Sequence, residues 1–202
     1  MFSIINSNKS QIIESNTYDL YQYKVYIGTN SVYLDPKSSY WYVHSNSVVS
    51  KTGDTTTLVS DKMCVEIYGY TPETRTSTFS KGTDLPYING CSTKQLIPAV
   101  RPGDPTFQML YIPAHTSEQA HHIHATARVV YVASGRGKSI VGTNSKNTIY
   151  DLNQGDIIVL PKMLPHHFKT EDTPLVVLPL HVYSSIGSEE FNHPMFNGTH
   201  RV

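Results

Sequence analysis

Residues 120–135 read AHHIHATARVVYVASG, three histidines in four positions running into a β-branched segment that ends on glycine. Side chains of an extended strand alternate between its two faces, so His122 and His124 point one way and His121 the other. Neutral imidazole is a common ligand of zinc, iron, copper and nickel. Two imidazoles aimed at one point can be half of a metal site.

Outward from this stretch the chain keeps a regular rhythm. Strands are expected at 121–125, 128–133, 137–142, 147–151, 156–160, 166–169 and 175–183, with turns at Gly135-Arg136-Gly137, Thr143-Asn144-Ser145, Asn153-Gln154-Gly155 and Glu171-Asp172-Thr173. So many short strands must manage their edges, which a sandwich or a closed barrel does. Two further strands, KQLIPAV at 94–100 and FQMLYI at 107–112, lead into the run across a turn at 101–105. The amino-terminal half predicts strands at 23–34 (two, joined around Gly28-Thr29-Asn30), 40–44, 55–59 and 63–70, with only a helical turn or edge strand at 11–14 before them. Fourteen tyrosines with abundant Thr, Val and Ile, and no long segment of helical period, make the fold all-β. The expected organisation is a β-rich region over 1–90, either an extension or a degenerate second barrel, a barrel over 91–184, and a surface arm over 185–202 packed by Phe191 and Phe196.

Composition narrows the function classes. Lys plus Arg equals Asp plus Glu, sixteen each, so no charge excess calls for nucleic acid or an anionic membrane, and a small-molecule substrate is the expected partner. The opening MFSIINSNKSQIIES has neither a basic start nor a continuous apolar run, so no signal peptide or anchor is expected and the reading is cytoplasmic. Cys64 and Cys91 form no CxxC and read as reduced thiols. No GxSxG or Cys/His arrangement supports nucleophilic catalysis.

Two segments resemble the paired motifs of the cupin superfamily. In the first, His122-Ile123-His124 is followed by three residues, Arg128 where the family carries glutamate, six residues and Gly135; in the second, Gly155, DIIVL, Pro161 and His166 keep the family spacing, with Met163 where a glycine is usual. The resemblance implies a double-stranded β-helix, or jelly-roll barrel, in which His122, His124 and His166 hold a divalent transition metal. Fe(II) is the favoured ion, with Mn, Ni or Zn as alternatives. Spacing from Pro161 selects His166 over His167, although a one-residue slip would exchange their faces. Barrels of this family often dimerise, and the amino-terminal half and FQMLYI offer surfaces for a homodimer.

Arg128 complicates that picture, because a guanidinium beside a divalent ion raises the electrostatic cost and cannot lose its proton. Either three neutral histidines hold the metal, or there is none. In the first case Arg128 would clamp a substrate carboxylate or phosphate; in the second it would pair with an acid such as Glu118 or Asp156. His181, in the last strand, is a candidate fourth ligand or proton carrier, and Tyr131 a candidate proton carrier. His115 and Tyr111 stand in reserve, and Glu118 could replace the missing carboxylate. Three functions remain open: a three-histidine dioxygenase acting on a small polar or anionic molecule, a metal-dependent isomerase or lyase, and a non-catalytic ligand-binding or structural barrel.

Overall fold

One long strand builds both walls of the barrel. The computed structural model describes residues 3–5, 10–15, 22–182 apart from 29, 61, 70, 72, 81, 102 and 144, and 199–201. Its strands in chain order are β1 Ser3–Ile5, β2 Gln11–Glu14, β3 Tyr23–Ile27, β4 Asn30–Tyr33, β5 Ser38–His44, β6 Ser47–Thr52, β7 Thr57–Ser60, β8 Met63–Tyr68, β9 Arg75–Thr78, β10 Leu85–Pro86, β11 Ser92–Ile97, β12 Thr106–Ile112, β13 His122–His124, β14 Arg128–Thr143, β15 Lys146–Asn153, β16 Ile157–Leu160, β17 His166–Lys169, β18 Leu175–His181 and β19 Thr199–Arg201. A single 3-10 turn at Ile88–Gly90 is the only helical element among the described residues. The all-β reading therefore holds, and the carboxy-terminal half curls into a jelly-roll barrel.

The long strand is β14. Its first half pairs with β16 and β18, and its second half, from Arg136 on, with β15 and β17. Gly135-Arg136-Gly137 was expected as a hairpin turn, but the strand runs through it and changes wall there. The pairing with β18 slips between Val132 and Ser134, and Gly135 takes φ +84°, where an added Cβ would meet the Pro174 carbonyl oxygen. Glycine allows both the backbone angle and the close approach.

Alternation along β14 sorts its side chains into two cores. Val130 and Val132 point into the barrel with Leu110, Ile112, Leu152, Ile158 and Val177. Val129 and Tyr131 point outward with Phe107, Met109, Ile157, Leu178 and Leu180 against Val25, Trp41, Val43 and Val65 of the amino-terminal sheet. That sheet has the order β2-β3-β8-β5-β6-β9. Its contact with the barrel includes Trp41 and Phe107, whose ring centroids are 6.3 Å apart. On its other side a small core of Val32, Leu34, Tyr40 and Cys64 lies beneath the β4–β7 pair. The two halves thus share one buried interface.

Two expectations change here. The strand FQMLYI offered a dimer surface, yet β12 lies between β11 and β18 with Phe107, Met109, Leu110 and Ile112 buried in the chain's own cores. The segment at 3–5, for which no element was expected, is a strand on β16, whereas 11–14 is the edge strand that was one of its two expected forms, paired with β3. The arm residues Phe191 and Phe196 lie outside the described residues. Cys64 and Cys91 are free and buried, and burial raises both thiols.

Candidate metal centre

The centre is assembled by the pairing of β13 with β17. His122 and His166 are direct cross-strand partners, so their side chains leave the sheet on the same side, and His124, two residues along, joins them. The ring centroids of His122, His124 and His166 lie 4.6–5.2 Å apart. One ligating atom from each lies within 4.8 Å of the others. His121 and His167 fall on the opposite face, where their Nδ1 atoms are 2.8 Å apart and the Nε2 of His121 bonds the Gly142 carbonyl. The register therefore selects His166 and excludes His167.

Backbone carbonyls set the tautomers. Nδ1 of His122 donates to the Ala120 oxygen at 3.0 Å, and Nδ1 of His166 donates to the Leu164 oxygen at 2.7 Å. A carbonyl can only accept, so each ring turns the lone pair of Nε2 to the centre, as in metal-bound histidines oriented by an outer partner. Nε2 of His122 is 3.1 Å from Nε2 of His124. Burial lowers His122 to about 4 and His166 to about 3, and holds His124 well below its ordinary value. Near neutral pH all three rings are in the uncharged form that binds metal.

The turn into β17 is also tied to this strand. Met163 has φ +60°, and its N–H donates to the His124 oxygen at 2.7 Å. The left-handed angle is the physical reason a glycine suits this position.

Arg128 and His181 close the cavity from the facing wall. They are register partners in β14 and β18, both are buried, and both line the cavity. The guanidinium of Arg128 bonds the Thr126 hydroxyl and, at 3.4 Å, the Ala127 carbonyl. Its Nε is buried without a partner, and no carboxylate pairs with it among the described residues. Burial lowers Arg128 to about 9. Asp156, one proposed partner, instead accepts the Asn153 N–H at 2.7 Å in the turn before β16. His181 is held well below its ordinary value, first by burial and then by the Arg128 charge, and its ring lies 6.3 Å from that of His124.

Glu118 is the residue whose place the strand pattern understated. The segment before β13 is laced to β17: Glu118 N–H donates to the Phe168 oxygen at 3.1 Å, and Thr170 N–H to the Thr116 oxygen at 2.8 Å. This turns Glu118 inward, only 3 % exposed, with Oε1 at 3.7 Å from Nε2 of His122. Burial pushes its carboxyl up to about 8, while the Phe168 N–H opposes the rise. The sequence signal was its even spacing from His122 and His124, which places all three on one face if the chain is extended.

Tyr131 is corrected. It lies on the opposite face of β14 from Arg128 and Val130, in the core shared with the amino-terminal sheet, and does not reach the cavity. Tyr111 is half-buried on the face of β12 opposite Leu110, and His115 is exposed, 3.9 Å from Asp172. Neither lines the cavity.

The cavity has a volume of about 30 Å³, room for about two water molecules. Leu110, Val130, Leu160, Phe168, Val177 and Pro179 supply its apolar walls, with Glu118, Arg128 and the four inward histidines as its polar groups. Three neutral imidazoles with converging nitrogens form a donor set suited to a divalent transition metal.

Comparison with known proteins agrees with this architecture. A family described as "Cupin domain" matches residues 108–183. A cupin 2 conserved barrel domain protein from Leptotrichia buccalis superposes with a TM-score of 0.58 at 14% identity, covering 89% of this chain and 96% of that one. A salicylate 1,2-dioxygenase variant from Pseudoaminobacter salicylatoxidans, in complex with gentisate, gives 0.54 at 10% identity, covering 80% and 68%. An oxalate decarboxylase variant from Bacillus subtilis gives 0.56 at 8% identity, covering 93% and 80%. At these identities the likeness is one of fold. A search of curated proteins found no match.

Proposed function

Because residues 108–183 form a cupin domain, we propose that this chain is a metal-dependent enzyme, with His122, His124 and His166 holding a divalent transition metal and Arg128 holding a small anionic organic substrate beside it. The observation that carries the reading is the buried Arg128 guanidinium, with an unpartnered Nε, in the same cavity as three neutral, converging imidazoles. A guanidinium and a divalent ion in one buried cavity leave a net positive charge that an anion neutralises. Arg128 offers a carboxylate directional donors that a point charge would not. The balanced overall charge supports a small-molecule substrate over nucleic acid or a membrane.

Fe(II) is the preferred ion, with Mn, Ni or Zn as alternatives, and the preferred reaction is a dioxygenation. When bound, Fe(II) would supply Lewis acidity and the electrons for dioxygen activation. The chain's part is to orient and to exclude. Carbonyl-anchored rings hold the ligand geometry, Arg128 orients the anion, and Leu110, Val130, Leu160 and Phe168 give the site apolar walls. Names among the structural neighbours, a salicylate 1,2-dioxygenase and an oxalate decarboxylase, are compatible with a small carboxylate as substrate.

A second reading, a metal-dependent isomerase or lyase, is favoured by His181, a neutral imidazole inside the cavity that can move a proton. Tyr131, on the other face, cannot share that role.

Elemental analysis of purified protein, beside a His122→Ala/His124→Ala variant, tests the centre. Near-stoichiometric metal in the first and almost none in the second is expected; equal metal in both would remove the proposed site. Fe(II)-loaded protein supplied with a panel of small carboxylates should then consume dioxygen with one of them, whereas turnover without oxygen would select the isomerase or lyase.

A further inference from the structure

We infer that Glu118 is the fourth protein ligand of the metal centre, its carboxylate supplying from the amino-terminal side of the histidine pair what Arg128 withholds on the other side. The inference rests on the three-histidine site proposed above. It adds a ligand that the motif spacing does not contain, because the motif places its acid after the pair, where this chain has Arg128.

Nε2 of His122 is an acceptor that faces both a carboxyl oxygen and a second imidazole nitrogen. His122 donates through Nδ1 to Ala120, so its Nε2 carries a lone pair and no proton. Oε1 of Glu118 lies 3.7 Å from that lone pair, and Nε2 of His124 lies 3.1 Å from it. Two donor atoms each about 2.1 Å from one ion stand roughly 3.0–3.4 Å apart, so the His122–His124 separation already suits a shared cation, and the Glu118 oxygen, which lies outside the converged histidine trio, has to swing inward to join it. A cation satisfies the oxygen and the nitrogens together, which no single hydrogen bond between them does.

Charge leads to the same assignment. A divalent ion and the Arg128 guanidinium in one apolar-walled cavity are mutually destabilising, and a buried anion in direct contact with the metal offsets part of that cost. Glu118 is the acid that lines this cavity among the described residues. Its backbone is also fixed in place. Its own N–H is bonded to Phe168, Ser117 forms a bridge with Lys169, and the side chain of the next residue, Gln119, accepts the Tyr87 hydroxyl at 2.9 Å. A ligand held by its flanking backbone needs only that side-chain swing when the ion binds.

The test uses Co(II), whose visible absorption bands report the donor set without any substrate. Wild-type protein, Glu118→Gln and Glu118→Asp are stripped of metal, checked for folding by circular dichroism, and titrated with Co(II). Glu118→Gln keeps the shape and loses the charged oxygen. Glu118→Asp keeps the charge and withdraws it by one methylene, so either variant alone remains decisive if the other does not fold. Both should bind Co(II) about 100-fold more weakly than wild type, at or beyond the top of the range for losing an outer-sphere partner, and both should show shifted bands. Weaker binding with unchanged bands would make Glu118 an outer-sphere neighbour and overturn the assignment. Unchanged affinity and bands would overturn it as well, while leaving the three-histidine centre standing. No Co(II) binding by folded wild-type protein would instead overturn the centre itself, and the fourth ligand with it.

Discussion

Arg128 and His181 stand directly opposite each other in the pairing of β14 with β18, both buried and both facing the cavity that holds His122, His124 and His166. One is a cation that keeps its proton and the other an imidazole that the first helps to keep neutral. The wall across from the three histidines therefore carries a fixed positive charge beside an uncharged proton acceptor, an arrangement fitted to an anionic ligand.

Replacing Arg128 by Gln should separate its effect on the metal from its effect on the substrate. Removing the cation relieves repulsion, so metal affinity should rise by about 10-fold. Loss of a charged hydrogen-bond donor should weaken the binding of small carboxylates to metal-loaded protein by about 10–100-fold. Calorimetric titrations with metal, then with carboxylate, measure both, and a variant that binds carboxylate as tightly as wild type would remove Arg128 from the anion site.

The buried histidines make the metal-free protein acid-sensitive. The folded value of His181 lies well below its ordinary 6.5, so on acidification the unfolded chain takes up a proton there before the folded one does. Its contribution to stability is present above 6.5 and is lost as pH falls below it, by up to about 1.4 kcal/mol per pH unit. Denaturant titrations of metal-free wild type and His181→Gln between pH 7 and 5 should show a smaller decline in the variant. Parallel declines would mean that His181 is not held neutral by the fold.

Met163 holds a left-handed angle with an exposed side chain, 57% accessible. Met163→Gly loses little packing and relieves an angle that costs an L residue roughly 1–2 kcal/mol. Part of that gain is offset by the freer unfolded chain. A net stabilisation of about 0.5–1 kcal/mol is expected, with metal binding unaltered. A destabilised variant would show that the Met163 side chain contributes packing that outweighs its strained backbone.

Gly135→Ala should have the opposite outcome. A Cβ there meets the Pro174 carbonyl at a positive φ, and the two segments must part where β14 changes wall. A loss of about 3 kcal/mol or more is expected, read as a lowered melting temperature together with weaker metal binding. A melting temperature equal to wild type would mean that the bend can relax without cost.

The fold and the three histidines were legible because they depend on local rules. Strand alternation put His122 and His124 on one face, and the Gly155–Pro161–His166 spacing pointed to the histidine that meets them. The reading failed where glycine spelled a turn but the chain stayed extended. Gly135-Arg136-Gly137 has the composition of a hairpin loop, and only the partners on either side, β18 before it and β15 after it, show a strand crossing between walls. Tyr131 reads in the sequence as a candidate proton carrier, but its odd offset from Arg128 sends it to the other face.

What the sequence alone determined was periodicity: which residues alternate, where strands stop, and which histidines share a side. What only the tertiary structure decided was which side is the inside, and what arrives there from elsewhere. The one-residue slip that would exchange the faces of His166 and His167 is ruled out because β17 pairs with β13 in one register. Tyr131 leaves the site because a second sheet covers the barrel's outer face. Glu118, in a segment that predicts only a loop, becomes a cavity residue because backbone bonds to β17 turn it inward. Each outcome depends on contacts between segments distant along the chain, which local sequence rules do not encode.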